Sequence, residues 1–176
     1  MQPPASGTEQ AAVEALMAAS RAFVGLAARS LAGLDAEVTL PQFRALVVLA
    51  ARGPQRAADI SAELQVAAST GTRMCDRLIR KGLVRRSRST SDRRVVRLRL
   101  TPAGLALVQE VILRRRAELS RIVAATSVYW QPAVTEALAA FATAAGEVPE
   151  QEWWLGFTTS DGQAEAEAEA EAEAEA

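Results

Sequence analysis

After Gly82 the apolar residues stop recurring at helical spacing and begin to alternate, and the alternation lasts only until Thr101. Leu83-Val84-Arg85-Arg86 reads as one strand. Val96, Leu98 and Leu100 alternate with Arg97 and Arg99 as a second, with one apolar and one basic face. The residues from Ser87 to Arg94 between them are too charged to be buried and read as a hairpin loop. A single short hairpin therefore interrupts a chain whose other apolar residues follow the helical period.

Helix signals bracket the hairpin on both sides. Ser6 to Glu9 matches a capping box, after which Val13, Leu16, Met17, Phe23, Val24, Ala27 and Leu31 recur on one face until Gly33 and Asp35. Thr39-Leu40-Pro41-Gln42 repeats the capping pattern, with proline in the first turn where its missing N–H does no harm. The helix it opens is stopped by Gly53-Pro54. A third helix is expected over 55–64, burying Ala57, Ile60 and Leu64. A turn of three to five residues leads into a fourth over 68–81, ended by Gly82. Beyond the hairpin, Thr101 as N-cap and Pro102 at the first position start a long helix, and a last one begins within 127–132 and ends at Gly146.

Three short helices followed by a two-stranded wing make a winged helix-turn-helix, provided the third and fourth helices cross over a tight turn. The expected fold is mostly α with a small β-wing. Residues 6–35 form an N-terminal dimerisation helix, 39–100 the winged helix-turn-helix, 101–146 the C-terminal dimerisation helices, and 149–176 an acidic tail. The flanking helices have apolar faces too wide for so small a module, and are expected to cover each other across a two-fold axis.

The formal net charge of −1 conceals a division along the chain. All 20 basic residues lie at or before Arg121 and nine of the 21 acids lie after Pro149, which leaves +8 on residues 1–149. Within 41–100, 14 basic residues face only Asp59, Glu63, Asp76 and Asp92, an excess of +10. A focused excess of this kind suits a polyanionic partner, although an arginine-rich composition or a solvated basic face gives the same count. Histidine is absent. That removes histidine triads, imidazole relays and nearly all zinc or iron sites, and no glycine-rich phosphate loop replaces them. No catalytic residue, metal or cofactor is expected, and an enzyme is disfavoured. The lone Cys75 cannot form an internal disulfide, which fits a reducing cytosol. Without a leader or an uninterrupted apolar run of about 18 residues, a cytoplasmic protein with no membrane partner is expected.

On the wheel of the fourth helix, Thr70, Gly71, Met74, Cys75 and Leu78 fall on a core side. Ser69, Thr72, Arg73, Asp76, Arg77 and Arg80 fall opposite. Arginines one turn apart, preceded by short hydroxyl side chains, can enter a major groove and contact guanine or phosphate. An exposed helix carrying one Asp–Arg pair is the plainer reading. Arg93 and Arg94 at the hairpin tip could reach an adjacent minor groove, with Asp92 pairing a neighbouring arginine to stiffen the loop.

Leu40-Pro41-Gln42-Phe43, Arg52-Gly53-Pro54, the run Thr72–Leu78, Lys81-Gly82-Leu83-Val84, and Ser91-Asp92-Arg93-Arg94 through Leu100-Thr101-Pro102-Ala103-Gly104 resemble the MarR family in order and spacing. The likeness spans about residues 9–146. It implies a homodimeric winged-helix regulator of bacterial transcription that binds pseudo-palindromic double-stranded DNA and is often released by a small-molecule effector. It implies Arg73 and Arg77 on a recognition helix, Arg94 as the wing-tip minor-groove contact and Asp92 as its brace. The full set of expected DNA contacts is Thr39, Ser69, Thr70, Thr72, Arg73, Arg77, Arg86, Arg93 and Arg94. A repressor is the leading reading, with an activator or dual regulator of the same fold, or a winged-helix module that binds protein, as alternatives. Ala67, where the family often places a capping serine or aspartate, and Gly71 inside the helix both weaken the recognition helix, each by about 1 kcal/mol.

Cys75 is read as a small core residue. Trp130, Trp153, Trp154 and Phe157 either line a ligand pocket or pack on the dimer interface. Arg114-Arg115-Arg116 is read as solvating a long helix, or pairing with an acid across the dimer. The strict Ala–Glu alternation over 164–176 suits neither strand nor stable helix, and is expected to be disordered. It is either simple-sequence expansion or an acidic competitor for the basic wing.

Overall fold

The computed structural model describes residues 7–32, 34, 37–88 and 96–153. Within them the chain runs α1 (Gly7–Leu31), α2 (Leu40–Arg52), α3 (Ala57–Glu63), α4 (Ala68–Arg80), β1 (Val84–Arg88), β2 (Val96–Leu100), α5 (Pro102–Ala125) and α6 (Pro132–Ala144). Single 3-10 turns occupy Ser127–Tyr129 and Glu150–Glu152. The architecture is the mostly helical one with a two-stranded wing that the periodicity implied.

Helix α2 is the centre of the core. Leu46 and Leu49 on it, Ile60 on α3, Leu78 on α4, and Val108 and Val111 on α5 are all almost completely buried. Its ends follow from local chemistry. The Gln42 side chain turns back to accept the Thr39 backbone N–H at 3.1 Å, and Gly53 leaves the helix at φ +71°, a conformation that glycine adopts without penalty.

Helix α3 begins at Ala57, two residues later than the sequence suggests. Gln55 is extended instead and pairs with Leu98, its N–H donating at 3.1 Å and its carbonyl accepting at 2.7 Å. The cap falls on Arg56, whose backbone N–H and guanidinium both donate to Asp59. That guanidinium hydrogen bond holds the Asp59 carboxyl below its usual pKa.

Leu64 to Ala67 form the turn between α3 and α4, with Gln65 in the left-handed region at φ +53°. The two helices then cross at backbone distance. A Cβ on Gly71 would lie 1.9 Å from Ser61 Oγ and 2.9 Å from Ser61 Cβ. The glycine that propensity counts against the helix is thus the residue that lets it dock.

In the wing, β1 and β2 are antiparallel, with Val84 opposite Leu100 and Arg88 opposite Val96. The first strand runs on to Arg88 rather than stopping at Arg86. Leu98 is buried but Val96 is exposed, so the apolar face fades toward the loop. The stem is fastened to α5: the Thr101 hydroxyl accepts from the Gly104 N–H at 3.1 Å and donates to the Gly82 carbonyl at 2.6 Å. Gly104 packs so closely that a Cβ there would meet the Leu83 carbonyl oxygen at 2.0 Å.

The long helices are half-finished as packing objects. Only Leu26 and Ser30 of α1 are buried, while Met17 is 56 % and Val24 60 % exposed. Helix α6 buries none of its residues. By length and composition α1 could cross a membrane. In the fold its C-terminal third lies on α5, held by Leu26 and by the 2.7 Å Arg29–Glu118 ion pair.

Helix propensity alone predicts that Gly71→Ala gains about 1 kcal/mol, whereas the Ser61 contact predicts a loss of roughly 1–3 kcal/mol. Thermal unfolding should show the loss, with partial recovery in the Ser61→Gly/Gly71→Ala double variant.

Candidate nucleic-acid interface and the cavity beside it

Helix α4 starts from Ala67 with no side-chain acceptor for its free N–H groups, as the sequence indicated. Gly71, Met74, Cys75 and Leu78 face the core. Ser69, Thr72, Arg73, Arg77 and Arg80 are exposed. Thr70 is exposed too, against its expected place on the core side: Gly71 meets Ser61 of α3, while Thr70 overhangs a cavity. The Thr72 hydroxyl donates back to the Ala68 carbonyl at 2.9 Å. Arg73 donates through Nε to the Ser69 carbonyl at 3.3 Å, and its terminal N–H groups meet no acceptor among the described residues. Arg77, one turn on, has no acceptor among the described residues.

Arg86 on β1 is differently placed. Its guanidinium donates to Asp76 of α4 at 2.7 Å, so it fastens the wing to the helix beside it. Arg97 on β2 reaches the Pro54 carbonyl at 3.3 Å and reinforces the Gln55–Leu98 bridge. Thr39 is exposed at the start of α2. Arg93, Arg94 and Asp92 lie outside the described residues, as do Trp154, Phe157 and the Ala–Glu run. The described residues contain no cluster of side chains able to hold a metal ion.

Between α1, α2, α4 and α5 lies a cavity of about 650 Å³; of the four aromatics that the sequence offers as pocket lining, Trp153 lines it, while its other walls were not foreseen. Phe43, Val47, Met74 and Ile112 give it apolar walls. Arg44 and Arg115 bring positive charge. The triple-arginine run is therefore not simply solvated. Arg114 pairs with Glu110, and Arg116 donates to Glu150 at 2.9 Å within the same chain. Arg115 turns inward over the Phe43 ring, 5.8 Å from its centroid, and its Nε is buried with no acceptor among the described residues. Burial, and then the neighbouring Arg44 charge, lower the Arg115 pKa. A signal existed: Arg115 continues the apolar stripe of Val108, Ile112 and Leu119 at helical spacing. Trp153, besides lining the cavity, packs on the chain's own core.

Cys75 is buried at 3 % exposure, and burial, aided by the Asp76 charge, raises its thiol pKa. The thiol stays protonated at neutral pH and is shielded. Alkylation by iodoacetamide should be far slower in the folded protein than in urea, and should accelerate only on unfolding. Equal rates in the two states would contradict the packing of α4.

The comparisons with known proteins bear on this geometry. The MarR family model matches residues 38–96, from the start of α2 into the wing. The transcriptional repressor MdtR of Bacillus subtilis is 37 % identical over 84 residues, 48 % of this chain and 54 % of that protein. The chain aligns with about half the length of the curated relatives it matches. Among solved structures, RV1404 from Mycobacterium tuberculosis is 36 % identical with a TM-score of 0.74, covering 82 % of this chain and 99 % of that one. A MarR family protein from Bacillus stearothermophilus is 26 % identical with a TM-score of 0.67, covering 82 % and 100 %. With the motif segments, the wing and the helix order all in agreement, the chain belongs to the MarR family.

Proposed function

We propose that the protein is a transcriptional regulator that grips double-stranded DNA as a homodimer, represses the genes beside its operator, and releases it when a small amphipathic anion binds. One observation carries the reading: the outer face of α4 presents Arg73 and Arg77 one turn apart, with terminal guanidinium N–H groups that no described protein group takes up. Ser69 and Thr72 beside them are short enough to let the helix approach base edges. The wing stands next to that face, tied to it by Arg86 and Asp76. Phosphate contacts from Thr39 at the start of α2 and from the wing set the register, Arg93 and Arg94 at the wing tip reach the adjacent minor groove, and α4 reads sequence.

The homodimer rests on exposed apolar surface. Met17, Phe23, Val24 and Phe141 are each at least half exposed, on helices that flank the winged module on either side. Surface of this kind calls for cover, and a second copy supplies it symmetrically. That MdtR is a repressor supports repression here. The effector reading rests on the cavity. Its volume falls in the range of small-molecule sites, and Arg115 offers an unpaired buried donor for an anionic group. Because Thr70 and Met74 of α4 form part of its wall, a ligand that favours one placement of α4 shifts the balance between bound and free states.

Genomic fragments selected on the purified protein should yield a duplex with two mirrored half-sites. Its affinity should fall roughly ten- to a hundredfold in Arg73→Ala or Arg77→Ala, with the dimer intact in light scattering. Affinity should also drop steeply between about 50 and 200 mM salt. Wild-type affinity in both variants, or binding indifferent to salt, would contradict DNA recognition by α4.

A further inference from the structure

The last described segment, Gly146 to Trp153, docks onto the body of the same chain, whereas α6 immediately before it buries nothing. Gly146 at φ +81° turns the chain out of α6. Glu147 then pairs with Arg44 on α2, the Gly146 carbonyl lies 3.5 Å from the Arg52 guanidinium, and Glu150 accepts twice from Arg116 on α5, at 3.0 and 2.9 Å. The Trp153 indole N–H donates to the Val148 carbonyl at 2.8 Å, which folds the segment on itself and seats the ring against the core.

Trp153 stands between two spaces. It lines the 650 Å³ cavity together with Ile112 and Arg115, and the same three residues line a second cleft of about 670 Å³ running along α5 toward Val123. Glu147 stands at the first space and Glu150 at the second. Glu147 is paired with Arg44 and Glu150 with Arg116, and Arg115, lining both spaces, keeps a buried Nε without an acceptor among the described residues.

We propose that residues 146–153 are a hinged strap, with Trp153 as its door, that admits an apolar carboxylate or sulfonate to Arg115 and then closes over it. This rests on the cavity being an effector site, and adds how that site is entered. The strap is suited to opening because both of its ion pairs are largely exposed, and such pairs are individually weak. It is suited to closing because the indole has an apolar seat and its N–H is satisfied within the strap, so nothing polar is stranded when the door swings. A segment of this sort controls the rates of entry and exit more than the affinity.

The test uses the full chain with Trp130→Phe and Trp154→Phe, leaving Trp153 as the only tryptophan, and 1-anilinonaphthalene-8-sulfonate as the probe. Acrylamide quenching should report a shielded Trp153 that becomes accessible in Glu147→Gln/Glu150→Gln. In that double variant, stopped-flow association and dissociation of the probe should both accelerate at least ~5-fold, with a smaller change in equilibrium affinity. Arg115→Met should weaken the probe about tenfold or more while leaving the quenching of Trp153 unchanged. Unchanged quenching and unchanged rates in the double glutamine variant would overturn the strap. If quenching rises as expected but the probe ignores Arg115→Met, the strap opens on something other than an effector site, and both the door and the cavity reading are overturned.

Discussion

Everything the molecule presents outward depends on how closely α3 and α4 cross. Ser61 is buried and turned to its own helix, its hydroxyl donating to the Ala57 carbonyl at 2.7 Å, and the space a side chain would need on α4 is removed by Gly71. With the helices at that distance, Met74, Cys75 and Leu78 reach the core around Ile60, and the opposite face, with Arg73 and Arg77, is held at a fixed angle to solvent. A larger residue at 71 would rotate or lift the helix and spoil both faces at once.

The wing is built on the same logic of few but fully satisfied contacts. Two strands of five residues cannot hold themselves, so the stem is clamped at its middle and its base: Gln55 adds a third backbone pairing at Leu98, and the Thr101 hydroxyl bridges Gly82 and Gly104. Asp76 and Arg86 then tie the strand to α4 across the open side. Helix and wing thus stand side by side, the arrangement that the proposed two-element grip on a duplex requires. The cavity is the exception. Its Arg115 Nε is buried without an acceptor among the described residues, and its wall includes Thr70 and Met74 of α4, which is why the proposed effector site is placed there.

What could be read from the sequence was what is settled locally. Thr39 with Pro41, Thr101 with Pro102, and Gly53, Gly82 and Gly146 fix helix ends within a few residues of themselves, and the helices begin and end there. The identity of α4 as the exposed basic helix was equally plain from its wheel. What escaped depends on distant partners. Gln55 looks helical until Leu98, far along the chain, offers it a backbone pairing. Gly71 looks like a weakness until Ser61 is laid against it. Arg115 looks like one of three solvated arginines until Phe43 and Trp153 close around its stripe of α5. Thr70 is out of place on the wheel because a wheel does not know where the neighbouring helix stops. Arg86 is expected from the sequence to contact DNA, and its attachment to Asp76 becomes visible only with strand and helix side by side.

The central claim is that two copies of α4 enter successive major grooves on one face of a duplex. Methylation protection of guanine N7 on the selected fragment tests it most directly, because N7 lies in the major groove where an arginine would meet it. The expected result is two protected patches about 10–10.5 base pairs apart, both lost when Arg73 is replaced by alanine. Protection confined to one patch, or guanines methylated as readily with protein as without, would contradict it.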